Sequence, residues 1–444
     1  MFFGDYMLLI GKVLWAVAAI FILFASIYFT FRLGFIQFRF KEMFKSLFFK
    51  NNKKDEISPI QTFILSLGGR IGVGSIAGIA LSIYLGGVGT IFWMWITSIL
   101  SISNSFAETV LGNIYKKREK DGIFNGGPSY YLTYGLGNKV LGILYAIIIL
   151  ISYIGGFLGV QANTITKSFN EIFSVSPYIV GIVICILSFF IIFGGLKKII
   201  NASTKLVPIM AILYLGMSFL IIFMNITKIP SLLLYIIKKA FNFKSFIFGF
   251  IPSFLIGLQR GIFASEAGLG TGSIASSATS DNNSVRQGFI QMAGIYISIL
   301  ICSVTVFVIL LSNNNFNDLV NINGIEIVQS SFEYHFGYVG VFSIFISIVL
   351  FSFSTIIAGY YYGENSLRFL FKNPSKDKIL ILKIITIVVV FLGSILPAKF
   401  LWDLVDIMVA VLAIINIYAL FSLRNEIKTE LDCHYRKKYD RINK

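Results

Sequence analysis

Residues 70–78, RIGVGSIAG, and residues 260–268, RGIFASEAG, share the spacing RxxxxSxAG inside two otherwise apolar stretches. Arg70 corresponds to Arg260, Ser75 to Ser265, Ala77 to Ala267 and Gly78 to Gly268. Arginine, glycine and serine are poor residues for hydrocarbon, so two apolar segments interrupted in the same way indicate a pair of broken helices in an internal repeat. An unwound turn frees amide N–H groups and carbonyls, which hydrocarbon tolerates only when something polar satisfies them. A helix N-terminus pointing at the gap suits a carboxylate, and freed carbonyls suit an ammonium group or Na⁺. A zwitterionic amino acid together with a cation satisfies both kinds of group. The competing explanation is chance recurrence of small residues where membrane helices pack closely.

Other polar residues inside apolar stretches are few. Gln161 and Asn163 lie within GVQANT, Ser354 and Thr355 within FSFSTIIAGYYYGE, and Glu108, Glu266, Glu364, Asp403 and Asp406 form the acidic set. The hydroxyl pair supplies hard oxygen ligands without charge, as an alkali cation needs. At each position the alternative is a helix-to-helix hydrogen bond that only holds the bundle together. Arg70, Arg260 and Glu266 are costly in a membrane and so read as functional, with gating or structural pairing ahead of substrate contact. Glycines surround both interruptions, Gly68, Gly69, Gly72 and Gly74 in the first and Gly261, Gly268, Gly270 and Gly272 in the second.

Enzyme chemistry finds little footing. Cys185 and Cys302 fall within apolar stretches and Cys433 in the C-terminal tail, and the histidines are only His335 and His434. No disulfide framework or zinc spacing results. GxSxG, HExxH and phosphate-loop glycine motifs are absent, so the usual hydrolase and ATPase readings fall away. No cofactor is expected, and uphill movement would have to draw on an ion gradient.

The elements that must position these groups are membrane helices. The 444 residues are 56% hydrophobic and 13% charged, with a mean hydropathy of +0.82, far above a soluble chain. About eleven stretches reach the roughly 20 apolar residues that a span requires. They cover 7–31, 61–86, 89–114, 140–168, 177–195, 206–226, 246–272, 287–312, 338–366, 379–397 and 400–423. The runs are continuous rather than alternating, which argues against a barrel. The first reads as a retained helix rather than a cleaved signal peptide, with an uncleaved anchor as its alternative.

The net charge of +16 would suggest nucleic acid in a soluble protein, but its distribution across alternate loops assigns it to the membrane. Lys41, Lys45, Lys50, Lys53 and Lys54 follow the first span, Lys116, Lys117, Arg118 and Lys120 the third, and Lys197, Lys198 and Lys205 the fifth. Arg286, then Arg368, Lys372, Lys376 and Lys378, and the tail from Arg424 to Lys444 continue the same side, which is therefore cytoplasmic. The opposite connection from Ser312 to Gly337 carries Asp318, Glu326 and Glu333 without lysine or arginine. Lys228, Lys238, Lys239 and Lys244 break the rule. With an odd number of spans the N-terminus lies outside the cell membrane and the C-terminus in the cytoplasm. The expected organisation is an extra N-terminal helix with an amphipathic cytoplasmic segment (1–59), a first repeat (60–226), an inverted second repeat (227–425) and a basic tail (426–444).

The stretches GVGSIAGIA, GGVGTIFWMWITS, GGPSYY, GGLKKI, RGIFASEAGLG, FSTIIAGYYYGE and LWDLVDIMVAVLAIINIYAL, in order from Gly72 to Leu420, together resemble the alanine or glycine:cation symporter family. The resemblance implies an all-α LeuT-type five-plus-five inverted repeat in which Na⁺, or sometimes H⁺, drives uptake of small neutral amino acids. Position by position it implies that Gly74 and Ser75 face the substrate carboxylate, that Phe263, Ala264 and Ser265 form the opposing break, and that Gln161, Thr355 and Gly359 line the pocket. It implies a Na⁺ site at the carbonyls of Gly68 and Ile71 and the hydroxyls of Ser354 and Thr355.

Three positions depart from the family pattern: Ser75 and Ser265 stand where asparagine is usual, and Gly359 where tryptophan is usual. Each removes volume, so the expected pocket is roomier and admits a larger neutral amino acid such as glutamine, the alternative being that a neighbour such as Tyr360 or Tyr361 fills the gap. A proton-coupled symporter, a non-transporting amino-acid receptor and a channel remain the alternatives on this scaffold. The sequence carries no signal of oligomeric state.

Overall fold

The computed structural model describes residues 2–49, 57–120, 122–241, 249–312 and 324–442. Lys50, Lys53, Lys54, Lys244, Asp318 and Lys444 from the charge argument lie outside the described residues. Apolar sequence without regular alternation folds here as helix after helix, because only an internally bonded backbone can face hydrocarbon. In order these are α1 (Phe2–Arg32), α2 (Phe40–Leu47), α3 (Pro59–Arg70), α4 (Ala77–Gly86), α5 (Thr90–Ile114), α6 (Pro128–Tyr130), α7 (Lys139–Ile149), α8 (Leu158–Phe173) and α9 (Pro177–Ile192). They continue as α10 (Gly195–Met224), α11 (Ile229–Ala240), α12 (Ile251–Ser265), α13 (Thr271–Ser277), α14 (Ser284–Leu311), α15 (Gly324–Phe371), α16 (Lys376–Ile395), α17 (Ala398–Ser422) and α18 (Arg424–Ile442). One small antiparallel pair, Lys117–Arg118 with Phe124–Asn125, closes a loop.

Among the described residues seven helices are long and apolar enough to cross a membrane, one of them Lys139–Phe173, which joins α7 to α8 through a wide π-type turn at Leu150–Phe157. The expected span 338–366 lies within α15, beyond a bend at Gly337, where φ is 56°. The expected spans 61–86 and 246–272 are each interrupted, the first between α3 and α4 and the second between α12 and α13.

α5 forms a central post. α12 and α14 pack along it, and α1 is bonded to it, with Asn104 Nδ2 donating to Ser26 Oγ at 2.8 Å and Ser103 Oγ to the Ser26 carbonyl at 2.9 Å. α1 also meets α17 through Tyr28 and Phe421, whose ring centroids are 5.1 Å apart. The N-terminal helix is thus built into the bundle rather than attached as a bare anchor. The lysines that break the charge rule, Lys228, Lys238 and Lys239, lie on or beside α11, a helix exposed along most of its length.

Candidate functional site

α3 starts from a capping box, in which the Ser58 hydroxyl accepts from the Gln61 amide and the Gln61 side chain accepts from Ser58, with Pro59 at the first helical position. It stops at Arg70. Ile71 leaves helical geometry, Gly72 is extended, Val73–Ser75 make one 3₁₀ turn, and α4 resumes at Ala77. The freed groups find specific partners. The Val73 amide donates to Gln161 Oε1 at 3.3 Å, and the Gly68 carbonyl accepts from Thr355 Oγ1 at 3.0 Å and from Ser354 Oγ at 3.3 Å. Gly72 has to be glycine, because a Cβ there would sit 2.7 Å from Thr355 Oγ1.

The second break is sealed differently. α12 ends at Ser265, and Glu266 (φ 48°), Gly268 (φ 88°) and Gly270 (φ 89°) take left-handed geometry before α13 begins at Thr271. Glu108 Oε2 accepts from the amides of Gly268 and Gly270 at 3.1 and 3.0 Å and from Asn416 Nδ2 at 3.0 Å. Asn416 Nδ2 also donates to the Gly268 carbonyl at 2.8 Å, and the Tyr145 hydroxyl donates to the Leu269 carbonyl. Upstream, Ser98 Oγ donates to the Gly261 carbonyl at 3.2 Å, and Ser298 Oγ to that of Ala264. Side chains of the scaffold therefore occupy much of the freed main chain of this break.

The structure brings Gly68, Gln161, Ser354 and Thr355 together at the first break. Gly74 lies directly beneath Phe263, since a Cβ at 74 would be 2.8 Å from its ring. Ser75 is fully buried beside Cys302, and its carbonyl accepts from Thr305 Oγ1 at 3.3 Å. Ile71 is buried with its amide bonded back to Leu67, and no hydrogen bond places its carbonyl beside the Ser354 and Thr355 hydroxyls. The Ser265 hydroxyl accepts from the Ala267 amide at 3.3 Å and lies 3.4 Å from Ser101 Oγ, so it caps its own break.

Gly359 corrects an expectation. A Cβ there would fall 2.6 Å from Leu158 Cδ1 and 3.4 Å from the Tyr153 ring, so the volume left by the missing indole is held by Leu158. Removing a large side chain leaves a void only if no neighbour moves in. Asn163 donates to the carbonyls of Gly393 and Leu396 at 3.2 and 2.7 Å, a bond that ties helices together.

A cavity of about 820 Å³ lies between α1, α4, α8, α12, α15 and α17 and reaches Val73, Ala77 and Arg260. Its wall includes Trp15, Gln259, Trp402, Asp403 and Asp406. From Trp402 in this wall an aromatic stack runs inward: Phe263 meets Trp402 at 5.6 Å and stacks on Phe157 at 5.5 Å, and Phe157 stacks on Tyr153 at 4.5 Å. The Arg260 guanidinium lies 5.9 Å from the Phe263 ring and 5.8 Å from that of Trp402. Gly74, Phe263 and Thr355 are not part of the cavity wall. Phe263 stands between Gly74 and Trp402 of the wall.

Among the described residues no group of three or more His, Cys, Asp or Glu side chains could hold a metal ion. Neutral oxygens remain, and the Gly68 carbonyl with the Ser354 and Thr355 hydroxyls is a donor set that fits a hard monovalent cation. Sequence reasoning named Glu108 without a role and missed Ser98, Ser298, Asn416 and Leu158. A signal was available, because Ser98, Ser101, Ser105 and Glu108 recur at three- and four-residue steps along one face of α5.

Two interrupted helices set face to face in an apolar bundle, beside a vestibule walled in part by aromatic rings, define an integral membrane transporter rather than an enzyme. The fold is shared with the substrate-bound outward-open structure of a Na⁺-coupled sialic acid symporter, at a TM-score of 0.55 and 10% identity over 88% of this chain and 82% of that one. The chain belongs to the sodium:alanine symporter family, which it matches over residues 2–444. It is 37% identical to the probable sodium/glutamine symporter GlnT of Bacillus subtilis (strain 168), over 96% of this chain and 90% of that protein. Amino-acid carrier protein AlsT of the same organism is 35% identical, again over 96% and 90%. The sodium/alanine symporter AgcS of Methanococcus maripaludis is 31% identical over 91% of each chain.

Proposed function

We propose that the protein couples Na⁺ to the movement of a small neutral amino acid by alternating access. The observation that carries this reading is the convergence of the Ser354 and Thr355 hydroxyls on the Gly68 carbonyl, one turn before the amide that Gln161 holds. With Na⁺ bound, both hydroxyls would turn their lone pairs toward the ion, joined by the Gly68 and Ile71 carbonyls. Gly74 and Ser75 would receive the substrate carboxylate, with Gln161, Phe263, Ala264, Ser265, Thr355 and Gly359 around the rest. Relatives named for glutamine and for alanine support this substrate class.

The two breaks then belong to inverted repeats spanning 60–226 and 227–425, with one bundle moving against the other around a roughly fixed site. The vestibule faces the cell exterior, the N-terminus is outside and the C-terminus is cytoplasmic.

The test is uptake of labelled alanine, glycine and glutamine into proteoliposomes under an inward Na⁺ gradient, then under a proton gradient alone. Na⁺-driven accumulation supports the reading. Accumulation driven only by protons makes it a proton symporter, binding without accumulation a receptor, and flux indifferent to both gradients a channel.

A further inference from the structure

Arg70, Glu108 and Glu266 sit together where the two breaks meet, and all three are buried. Arg70 Nη1 donates to the Gln291 carbonyl at 3.1 Å, and a Cβ at Gly272 would lie 2.7 Å from Arg70 Nη2 and 3.5 Å from Glu108 Oε1, so the guanidinium faces Glu108 across Gly272, with Glu266 also in its field. One guanidinium balances one carboxylate. The second carboxyl would be an uncompensated buried charge, a strongly unfavourable state, unless it holds a proton.

The hydrogen-bond partners decide which carboxyl that is. Glu108 Oε2 takes three N–H donors, two of them main-chain amides. An N–H cannot turn into an acceptor, so Oε2 stays unprotonated, while Oε1, which has no hydrogen-bond partner, faces the Gly272 position that Arg70 Nη2 also faces, and this pairing with the guanidinium favours the charged form. Glu266 is held only by hydroxyls, Tyr153 OH on Oε1 at 3.0 Å and Thr271 Oγ1 on Oε2 at 2.8 Å. A hydroxyl donates to a carboxylate and can rotate to accept from a carboxylic acid, so both protonation states of Glu266 can be satisfied without moving the backbone. The other titratable groups facing it are Arg70 of α3, Tyr145 of α7 and Tyr362 of α15.

We propose that Glu266 is an exchangeable proton-binding site: the carboxylate gains H⁺ from water on one oxygen, and the hydroxyl bonded to that oxygen turns from donor to acceptor. Because Glu266 is the left-handed residue that ends α12, its charge state acts directly on the second break.

The test uses the full-length protein in lipid and needs no knowledge of the transported substrate, so it stands or fails apart from the Na⁺-symport reading. Infrared difference spectra are recorded across a pH titration. One carboxylic-acid C=O component is expected to titrate apart from the exposed carboxyls and at the higher frequency of a buried acid; it should be lost in Glu266→Gln and retained in Glu108→Gln. Absence of such a band from the wild type, or its persistence in Glu266→Gln, overturns the proposal. Thr271→Val provides a second arm should Glu266→Gln fail to fold. Losing a hydroxyl that donates to the anion is expected to move the midpoint up by about one pH unit, and an unmoved midpoint also overturns the proposal.

Discussion

The Thr355 hydroxyl donates to the Gly68 carbonyl at 3.0 Å, joining α15 to the last turn of α3 just before that helix breaks. The same hydroxyl lies 3.0 Å from the Phe351 carbonyl of its own helix, so it is held ready by local structure and aimed at the break. Thr355→Ala removes one oxygen from the cation set while Ser354 still reaches Gly68. Half-maximal uptake is expected at about tenfold higher Na⁺, the loss of one hydrogen bond to a charged group, with little change in thermal unfolding. Unchanged Na⁺ dependence in the uptake assay places the ion elsewhere.

Leu158→Ala tests what fills the space at Gly359. Truncating a buried leucine is expected to cost about 2–5 kcal/mol of stability and to open volume beside Tyr153. In competition assays glutamine should then gain on alanine relative to the wild type. An unaltered ratio would separate this corner of the fold from substrate selection.

Much of this was legible in the sequence. The RxxxxSxAG spacing located both breaks, and the apolar runs located the helices, because burying backbone in hydrocarbon leaves few other structures. The partners of the second break were less visible. Glu108 and Asn416 look like isolated polar residues in the chain, and only the three-dimensional crossing of α5 with α17 brings them to one carboxylate oxygen. Gly359 misled for the opposite reason. A missing side chain is read from one position, whereas the void depends on a neighbour two hundred residues earlier, and Leu158 had moved in.

Lys116 gives a stability test outside the membrane spans. Its ammonium donates to the carbonyls of Thr279, at 2.8 Å, and Asp281, fastening the loop after α13 to the end of α5. Burial lowers its pKa from 10.5 to about 8, with Asp281 opposing. The unfolded chain therefore keeps a proton that the folded protein has released between pH 8 and 10.5, and folding stability should rise across that window. Below about 8 the burial cost is fully present. Thermal unfolding of the wild type and of Lys116→Met should diverge in the wild type's favour as pH climbs from 8 to 10.5, and a constant offset would rule the linkage out.

Orientation can be tested with the native cysteines. Cys433 is exposed on α18, whereas Cys302 is buried and Cys185 partly so. A membrane-impermeant maleimide should label Cys433 in inside-out vesicles and leave intact cells unlabelled. Labelling in intact cells would invert the assigned topology and turn the vestibule toward the cytoplasm.

The aromatic stack has an optical consequence. Of the four tryptophans, Trp93 and Trp95 are fixed on α5 by indole hydrogen bonds to the Ala240 carbonyl at 3.3 Å and to Ser303 Oγ at 2.9 Å. Trp15 and Trp402 instead line the vestibule, and Trp402 touches the ring above Gly74. Any movement of Phe263 changes the hydration of one indole in direct contact with it and leaves the two on α5 as a steady background. Trp402 is thus a built-in fluorescent reporter of where Phe263 sits.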